Sequence, residues 1–374
     1  MPRYLRALLV TVLTGCAAAP LPDEAPSSRD RGVEPTAAPD EAAPYLYVCV
    51  QDEARIDVID MQTLDVVNSV DLTALGFSSN ASPHHVAVEP DGERWFVSLI
   101  GEHRVARFDR ENRLTGTFEM ASPGMLSLDH SRDLLLVSRS MSAVNPPTRI
   151  GMIEPSTMEG DELDVFMPRP HPVIVSPDGA WAYTGSLGVN QLASIELGTE
   201  DVTLSDVEGP QHALVQFAVS PDGRWLVAGT EISGRLVVFD RSNPSQPRQV
   251  ASVELGPMVF DPAFAPGGEF VWVPVKGADE VAVVRVDGWS VERRIRGDGL
   301  RQPHQIVFSR DGSRAFVSNN NKADHMSGMA GHEGHDTAGA SGNVTVIDTR
   351  SYEVVRVIEL GRNVTGLGTS TSAH

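Results

Sequence analysis

Apolar and polar residues alternate in short runs along most of this chain, and the runs are separated by turns rich in Pro, Asp and Gly. A two-residue period predicts half-buried β-strands rather than helices. One phrase recurs. Pro83-His84-His85-Val86-Ala87-Val88 leads through Glu89 to Pro90-Asp91-Gly92, and Pro170-His171-Pro172-Val173-Ile174-Val175 leads through Ser176 to Pro177-Asp178-Gly179. The phrase returns over Phe217–Gly223 and again from Pro303-His304-Gln305-Ile306-Val307-Phe308 to Arg310-Asp311-Gly312. The Asp-Gly pairs predict tight hairpin turns, because glycine accepts the positive φ such turns require. Copies recur roughly every 40–47 residues, or at twice that distance where one is degenerate, which is the period of a four-stranded propeller blade. A unit of that size cannot bury both of its own faces and must stack on neighbours.

Naming the four strands of a blade A to D from the centre outward, A strands are expected to start near Pro83, Pro123, Pro170, Leu214, Val259 and Pro303. A further segment, Asn363-Val364-Thr365-Gly366-Leu367, follows the last D strand, whereas the first segment, Tyr45–Leu72, supplies B, C and D strands with no A. The C-terminal strand therefore completes the first blade, which closes the ring and leaves no open sheet edge between its ends. The expected fold is all-β, a seven-bladed β-propeller over residues 45–370 with ring closure by the C-terminal strand. C strands ending in Val58-Ile59-Asp60, Arg107-Phe108-Asp109, Val238-Phe239-Asp240 and Val346-Ile347-Asp348 repeat as well, with Asp placed to cap the following turn.

The Val-Ser-Pro-Asp-Gly turn, an aromatic B strand such as Phe316-Val317-Ser318-Asn319 and the Val346-Ile347-Asp348-Thr349 strand end together resemble the YVTN-repeat (YncE-like) β-propeller family. The resemblance covers about residues 45–370 and implies a fold rather than an activity, since propellers host many unrelated functions. No Trp-Asp dipeptide marks the blades as WD40 repeats.

The first residues change the picture from a free domain to an anchored one. Arg3 and Arg6 precede a short apolar stretch, Ala7–Leu13, which is too short for a permanent membrane span. It ends in Leu13-Thr14-Gly15-Cys16, which resembles the lipobox of bacterial lipoproteins. That resemblance implies that residues 1–15 are a signal peptide and that Cys16 is the lipidated first residue. The bilayer would then be a partner, and the location the cell envelope, with Ala17 after the cysteine implying the outer membrane facing the periplasm. Residues 16–44, rich in Ala, Pro and acidic side chains without aromatics, read as a disordered tether. Cys49, in the apolar run Tyr45–Val50, then has no disulfide partner and reads as a buried thiol. A net charge of −20 disfavours nucleic acid as a partner.

Two groups of histidines carry the candidate chemistry. His84, His85, His171 and His304 sit at the starts of A strands, and His212 lies just before one. With His103 in a B–C loop, all six are expected on the face of the ring where the D–A and B–C loops gather, while His130 in an A–B turn belongs to the other face. Imidazole is the commonest metal side-chain ligand and suits copper, zinc and iron. The arrangement is similar to the histidine-bearing propeller of nitrous oxide reductase, but Gly124, Val215 and Phe260 occupy equivalent slots, so a complete histidine ring is impossible. The second group lies in an insertion over 319–342, where His325, Met326, Met329, His332 and His335 alternate with Gly, Ser and Ala. Thioether and imidazole donors together suit copper, and the pattern resembles Met/His-rich segments of periplasmic copper-handling proteins.

Familiar catalytic motifs are missing: no Gly-x-Ser-x-Gly elbow, no His-Glu-x-x-His pair and no phosphate-binding loop is present. The expected function is a membrane-anchored propeller that binds a metal, copper first, or a protein partner, without evident catalysis. The alternative is a metal-dependent oxidoreductase or lyase with its site at the mouth of the central channel. A third reading is an interaction scaffold without a metal.

Overall fold

In the computed structural model the described residues are 45–139, 145–322 and 340–370. Cys16 and residues 1–44, over which a signal peptide and a tether are expected, lie outside them, as do His325, Met326, Met329, His332 and His335. The described chain forms seven four-stranded antiparallel sheets. The second to fifth blades run from Pro83–Val88 to Leu114–Glu119, from Pro123–Asp129 to Glu159–Asp164, from Pro170–Val175 to Asp201–Asp206, and from Leu214–Val219 to Arg248–Glu254. The sixth ends at Ser290–Ile295, and the seventh spans Pro303–Phe308 to Val354–Glu359. In the first blade the C-terminal strand Val364–Thr369 lies inside Tyr45–Val50, with Leu46 opposite Thr369 and Val48 opposite Leu367. Among the described residues no helix is long and apolar enough to cross a membrane.

The core is divided among the seams between blades. One apolar cluster joins Tyr47, Ile56 and Val58 of the first blade to Trp95 and Phe108 of the second, with Trp95 and Phe108 stacked at 4.1 Å. Another joins Leu46 and Leu367 of the first blade to Phe316 and Val346 of the seventh. Stacking neighbours is thus what removes each blade's apolar faces from water, as the repeat period required.

Two devices recur at the channel. Directly before the A strand of six blades, and directly before Val259 in the sixth, stands a residue other than glycine in the left-handed region: Ser82, Ser122, Arg169, Ala213, Met258, Gln302 and Asn363, with φ between 49° and 59°. Such a conformation costs about 1–2 kcal/mol per residue and persists only where the surroundings fix it. At six of these residues, all but Ser122, the carbonyl accepts a hydrogen bond from the first residue of the same blade's B–C loop, as in Gln51 N–H to Asn363, Glu231 N–H to Ala213 and Lys276 N–H to Met258. The clasp sets those loop residues around the channel mouth.

The second device is a β-bulge one residue further on. Pro83 pairs with Leu99, but the next pair is Val86 with Val97, so His84 and His85 share the place of one residue. The same shift recurs at Pro123/Leu126, Pro170/Val173, Pro303/Ile306 and Val364/Leu367. A bulge leaves a backbone N–H without a ladder partner. Three blades satisfy it with a serine on the B strand: Ser98 Oγ accepts from His85 N–H (3.1 Å), Ser138 Oγ from Met125 N–H (2.8 Å) and Ser318 Oγ from Gln305 N–H (3.1 Å). In the first blade the thiol of Cys49 takes the serine's place and accepts from Gly366 N–H. Cys49 is a fully buried free thiol, as expected, with a structural partner.

The sixth blade departs from the expected pattern. Val259 makes only an isolated bridge to Val275, and the inner strand is reduced to Ala263–Phe264. Pro262 cannot donate to a ladder, and Asp261 turns instead to the seventh blade, donating its N–H to the His304 carbonyl at 3.2 Å.

Candidate metal centre at the channel mouth

The bulge explains how consecutive residues face one channel. Strict alternation would turn either His84 or His85 away. With the extra residue, His84 reaches the mouth while His85 points into the channel below, where it lines a cavity of about 280 Å³ together with Gln216, Asp261 and Gln305. Leu126 N–H donates to His85 Nδ1 at 3.3 Å, and Gln305 Nε2 lies 3.3 Å from His85 Nε2.

Three of the six rim candidates meet above this cavity. The ring centres of His84 and His171 are 6.3 Å apart, as are those of His84 and His304, and all three side chains are buried. The slots between them hold Gly124, Val215 and Phe260, and the closing strand supplies Thr365. Phe260 packs against His304 with centroids 4.9 Å apart.

Hydrogen bonding fixes which ring nitrogen is offered. His84 Nδ1 donates to Gln51 Oε1 at 3.5 Å, and His171 Nδ1 donates to the Val215 carbonyl. Both rings therefore carry their lone pair on Nε2, and His84 Nε2 is buried without a partner. His304 turns Nδ1 toward Asp261, 3.9 Å from Oδ2, with neither atom hydrogen-bonded. An imidazole whose Nδ1–H is held by an oxygen while Nε2 points inward is the arrangement that outer groups impose on metal-binding histidines.

The electrostatics keep these rings neutral. Burial, followed by His171 and Lys276, pushes His84 down to about 3. Burial holds His171 at about 4, even though its bond to Val215 acts in the opposite direction. His304 lies well below the ordinary imidazole range, first from burial and then from Lys276. Asp261 is held well above the usual carboxylate range because it is buried, with Lys276 only partly offsetting this. A neutral imidazole is the form that binds a metal ion.

As placed, no three His, Cys, Asp or Glu side chains among the described residues are grouped closely enough to hold an ion. Imidazoles sharing one ion at about 2.0–2.1 Å would have ring centres about 5.3–5.5 Å apart. The 6.3 Å pairs are wider than this by about 1 Å.

The other two rim candidates are committed elsewhere. His212 receives a bond on Nδ1 from Ser233 Oγ (2.7 Å) and donates through Nε2 to the Glu208 carbonyl (3.0 Å). His103, itself left-handed at the end of the short helix Ile100–Glu102, accepts on Nδ1 from Ser122 N–H at 3.1 Å and so ties the second blade's B–C loop to the third blade. The sequence reading passed over Gln51, Asp261 and Lys276. Gln51 and Lys276 share one slot, the first residue after a B strand, and this repeat position is the signal that could have revealed them.

No family model matches the chain, and no curated protein does. Solved structures with the same architecture do. A Kuenenia stuttgartiensis hydrazine synthase chain aligns at TM-score 0.61 and 18% identity over 76% of this chain and 89% of its own. The Pseudomonas aeruginosa periplasmic gluconolactonase PpgL aligns at TM-score 0.66 and 19% identity, covering 88% of this chain and 99% of its own. The dihydro-heme d1 dehydrogenase NirN, solved in complex with DHE, aligns at TM-score 0.61 and 14% identity over 88% of this chain and 76% of its own. At these identities the likeness is one of fold alone.

Proposed function

We propose that this protein is a lipid-anchored propeller of the bacterial envelope, tethered through Cys16, that binds one transition-metal ion at its channel mouth through Nε2 of His84, His171 and His304. The single observation carrying this reading is the shared tautomer: Nδ1–H of two converging rings is held by oxygen, and the buried Nε2 of His84 is left with no partner. A buried polar atom without a partner costs about 1–3 kcal/mol, which an ion on that lone pair would remove. Copper is the first candidate, because the His325–His335 tract adds thioether and imidazole donors in the B–C insertion of the seventh blade. The names of the fold neighbours, a hydrazine synthase, a dehydrogenase and a lactonase, differ in chemistry, and none is carried over.

The test is metal analysis of the full chain in detergent, stripped with chelator and reloaded with Cu(II). It compares the wild type with a His84→Gln/His171→Gln/His304→Gln variant and with a deletion of residues 322–341. Equimolar copper kept by the deletion and lost by the triple variant supports the mouth site. Copper lost with the deletion instead moves the site to the insertion. No tight copper in the wild type removes the metal reading and leaves a scaffold for a protein partner.

A further inference from the structure

The reduced inner strand of the sixth blade leaves a gap in the wall of the central channel. In the other six blades the A strand is buried along its whole length, whereas Ala263 and Phe264 are only half-buried. Pro262, Ala263, Phe264 and Pro266 line one side of the cavity of about 280 Å³ that lies below the histidine mouth. On the flanking blades the cavity follows the chain from Gln216 to Pro221 and from Gln305 to Arg310. Five residues of extended chain cover about 16 Å. Pro221, Pro266 and Arg310 stand in A–B turns and are exposed, so the cavity reaches the face of the ring opposite the histidines.

Shape and lining narrow what fills it. A cavity of about 150 Å³ holds a benzene ring, so one of about 280 Å³ holds about ten or eleven non-hydrogen atoms. Spread along that length, the space suits an unbranched chain rather than a compact ring system. Its walls are apolar, with Leu126, Ile174, Phe217, Val307 and Leu367 among them. Polar side chains gather at the inner end. There His85 Nδ1 accepts from Leu126 N–H, Gln216 Oε1 from Phe217 N–H and Gln305 Oε1 from Leu367 N–H. Asp261 lines the same end and is 2% exposed, and its Oδ2 is buried without a hydrogen-bond partner. A buried acceptor in that position is costly. A hydroxyl group satisfies it in either protonation state, because a hydroxyl both donates and accepts.

We infer that the lower channel is a binding site for a small unbranched aliphatic alcohol, which enters from the A–B face, sets its hydroxyl on Asp261 and lays its chain along the apolar walls. The binding is non-covalent and involves no metal ion, so it stands or falls apart from the copper reading.

The test is equilibrium dialysis of full-length protein, stripped of metal with chelator and with the same detergent in both compartments, the probe being measured by gas chromatography. Three probes separate the terms. 1-Heptanol has chain and hydroxyl, 1-chloroheptane has the chain without a donor, and 1-adamantanol carries the hydroxyl on a compact cage. The wild type should bind one 1-heptanol, prefer it to 1-chloroheptane and reject 1-adamantanol. Asp261→Leu should weaken 1-heptanol about three- to tenfold, the contribution of one hydrogen bond. The same variant should bind 1-chloroheptane at least as well as the wild type does, which shows that the cavity is intact. Lack of saturable 1-heptanol binding by the wild type would overturn the inference. So would a preference for 1-heptanol that survives in Asp261→Leu, or 1-adamantanol binding as tight as that of 1-heptanol.

Discussion

Ring closure and the candidate site meet at Gly366, and a single methyl group there tests both. The closing strand Val364–Thr369 packs flat against Pro83–Val88 of the second blade. A Cβ on residue 366 would stand 2.2 Å from the His84 carbonyl oxygen and 2.7 Å from His85 Cα. Both atoms are backbone, so no side chain can rotate away, and the two strands must separate. Overpacking of this kind costs about 1–3 kcal/mol, and Gly366→Ala belongs at the upper end because the obstruction is main chain. A domain of about 300 residues unfolds with an entropy near 0.6 kcal/mol/K, so a loss of ~3 kcal/mol lowers Tm by about 5 °C. Gly198→Ala is the matched control, since its Cβ would meet nothing within 4 Å. Thermal unfolding followed by circular dichroism should show Gly366→Ala melting about 5 °C below wild type and Gly198→Ala within about 1 °C of it. Because the strand that moves carries His84, Gly366→Ala should also weaken copper binding. A Gly366→Ala protein that melts with the wild type would refute the claim that the closing strand sits flush on the second blade.

Further outcomes follow from the same features. Ser98→Ala strands the buried His85 N–H and should cost about 1–3 kcal/mol in chemical denaturation, whereas Ser98→Thr, which keeps a hydroxyl, should cost less. Cys49 uses its thiol as Ser98 uses its hydroxyl, and burial raises its pKa. It should resist thiol reagents in the native protein and react only on unfolding, and Cys49→Ser should fold with near wild-type stability. In metal-free protein His84 and His171 titrate at about 3 and about 4, against 6.5 in an unfolded chain. The folded state therefore binds fewer protons than the unfolded state below about pH 6.5, and stability should fall by several kcal/mol between about pH 6.5 and pH 3. His84→Gln should flatten that profile. The groups facing this cluster are His304, Asp261 and Lys276. Asp261, shifted up, contributes in the opposite sense, with a penalty that grows as pH rises above about 4 and that Asp261→Asn should relieve.

The period and the Asp-Gly turns made the blade count and the terminal closure legible, because hairpin chemistry and two-residue alternation are local. The channel mouth was legible only in part, and the reason is geometric. Alternation predicts that consecutive residues point to opposite faces, so placing both His84 and His85 at the mouth had no support from the alternation itself, and His85 in fact lies below it in the channel. The bulge that allows it shows in the sequence only indirectly, as a serine or cysteine on the neighbouring strand: Ser98, Ser138, Ser318 and Cys49. Read that way, the Val-Ser pairs of the B strands mark where the A strand carries an extra residue. The pattern also sorts the rim histidines. His84 and His304 stand just after a left-handed residue and a proline, one position before the N–H that the serine holds, and His171 stands at the matching point of the fourth blade. His212 precedes the left-handed Ala213 and therefore belongs to the loop, where both of its nitrogens are bound. The position of a histidine relative to the left-handed residue, rather than its nearness to a strand start, decides whether its ring reaches the channel.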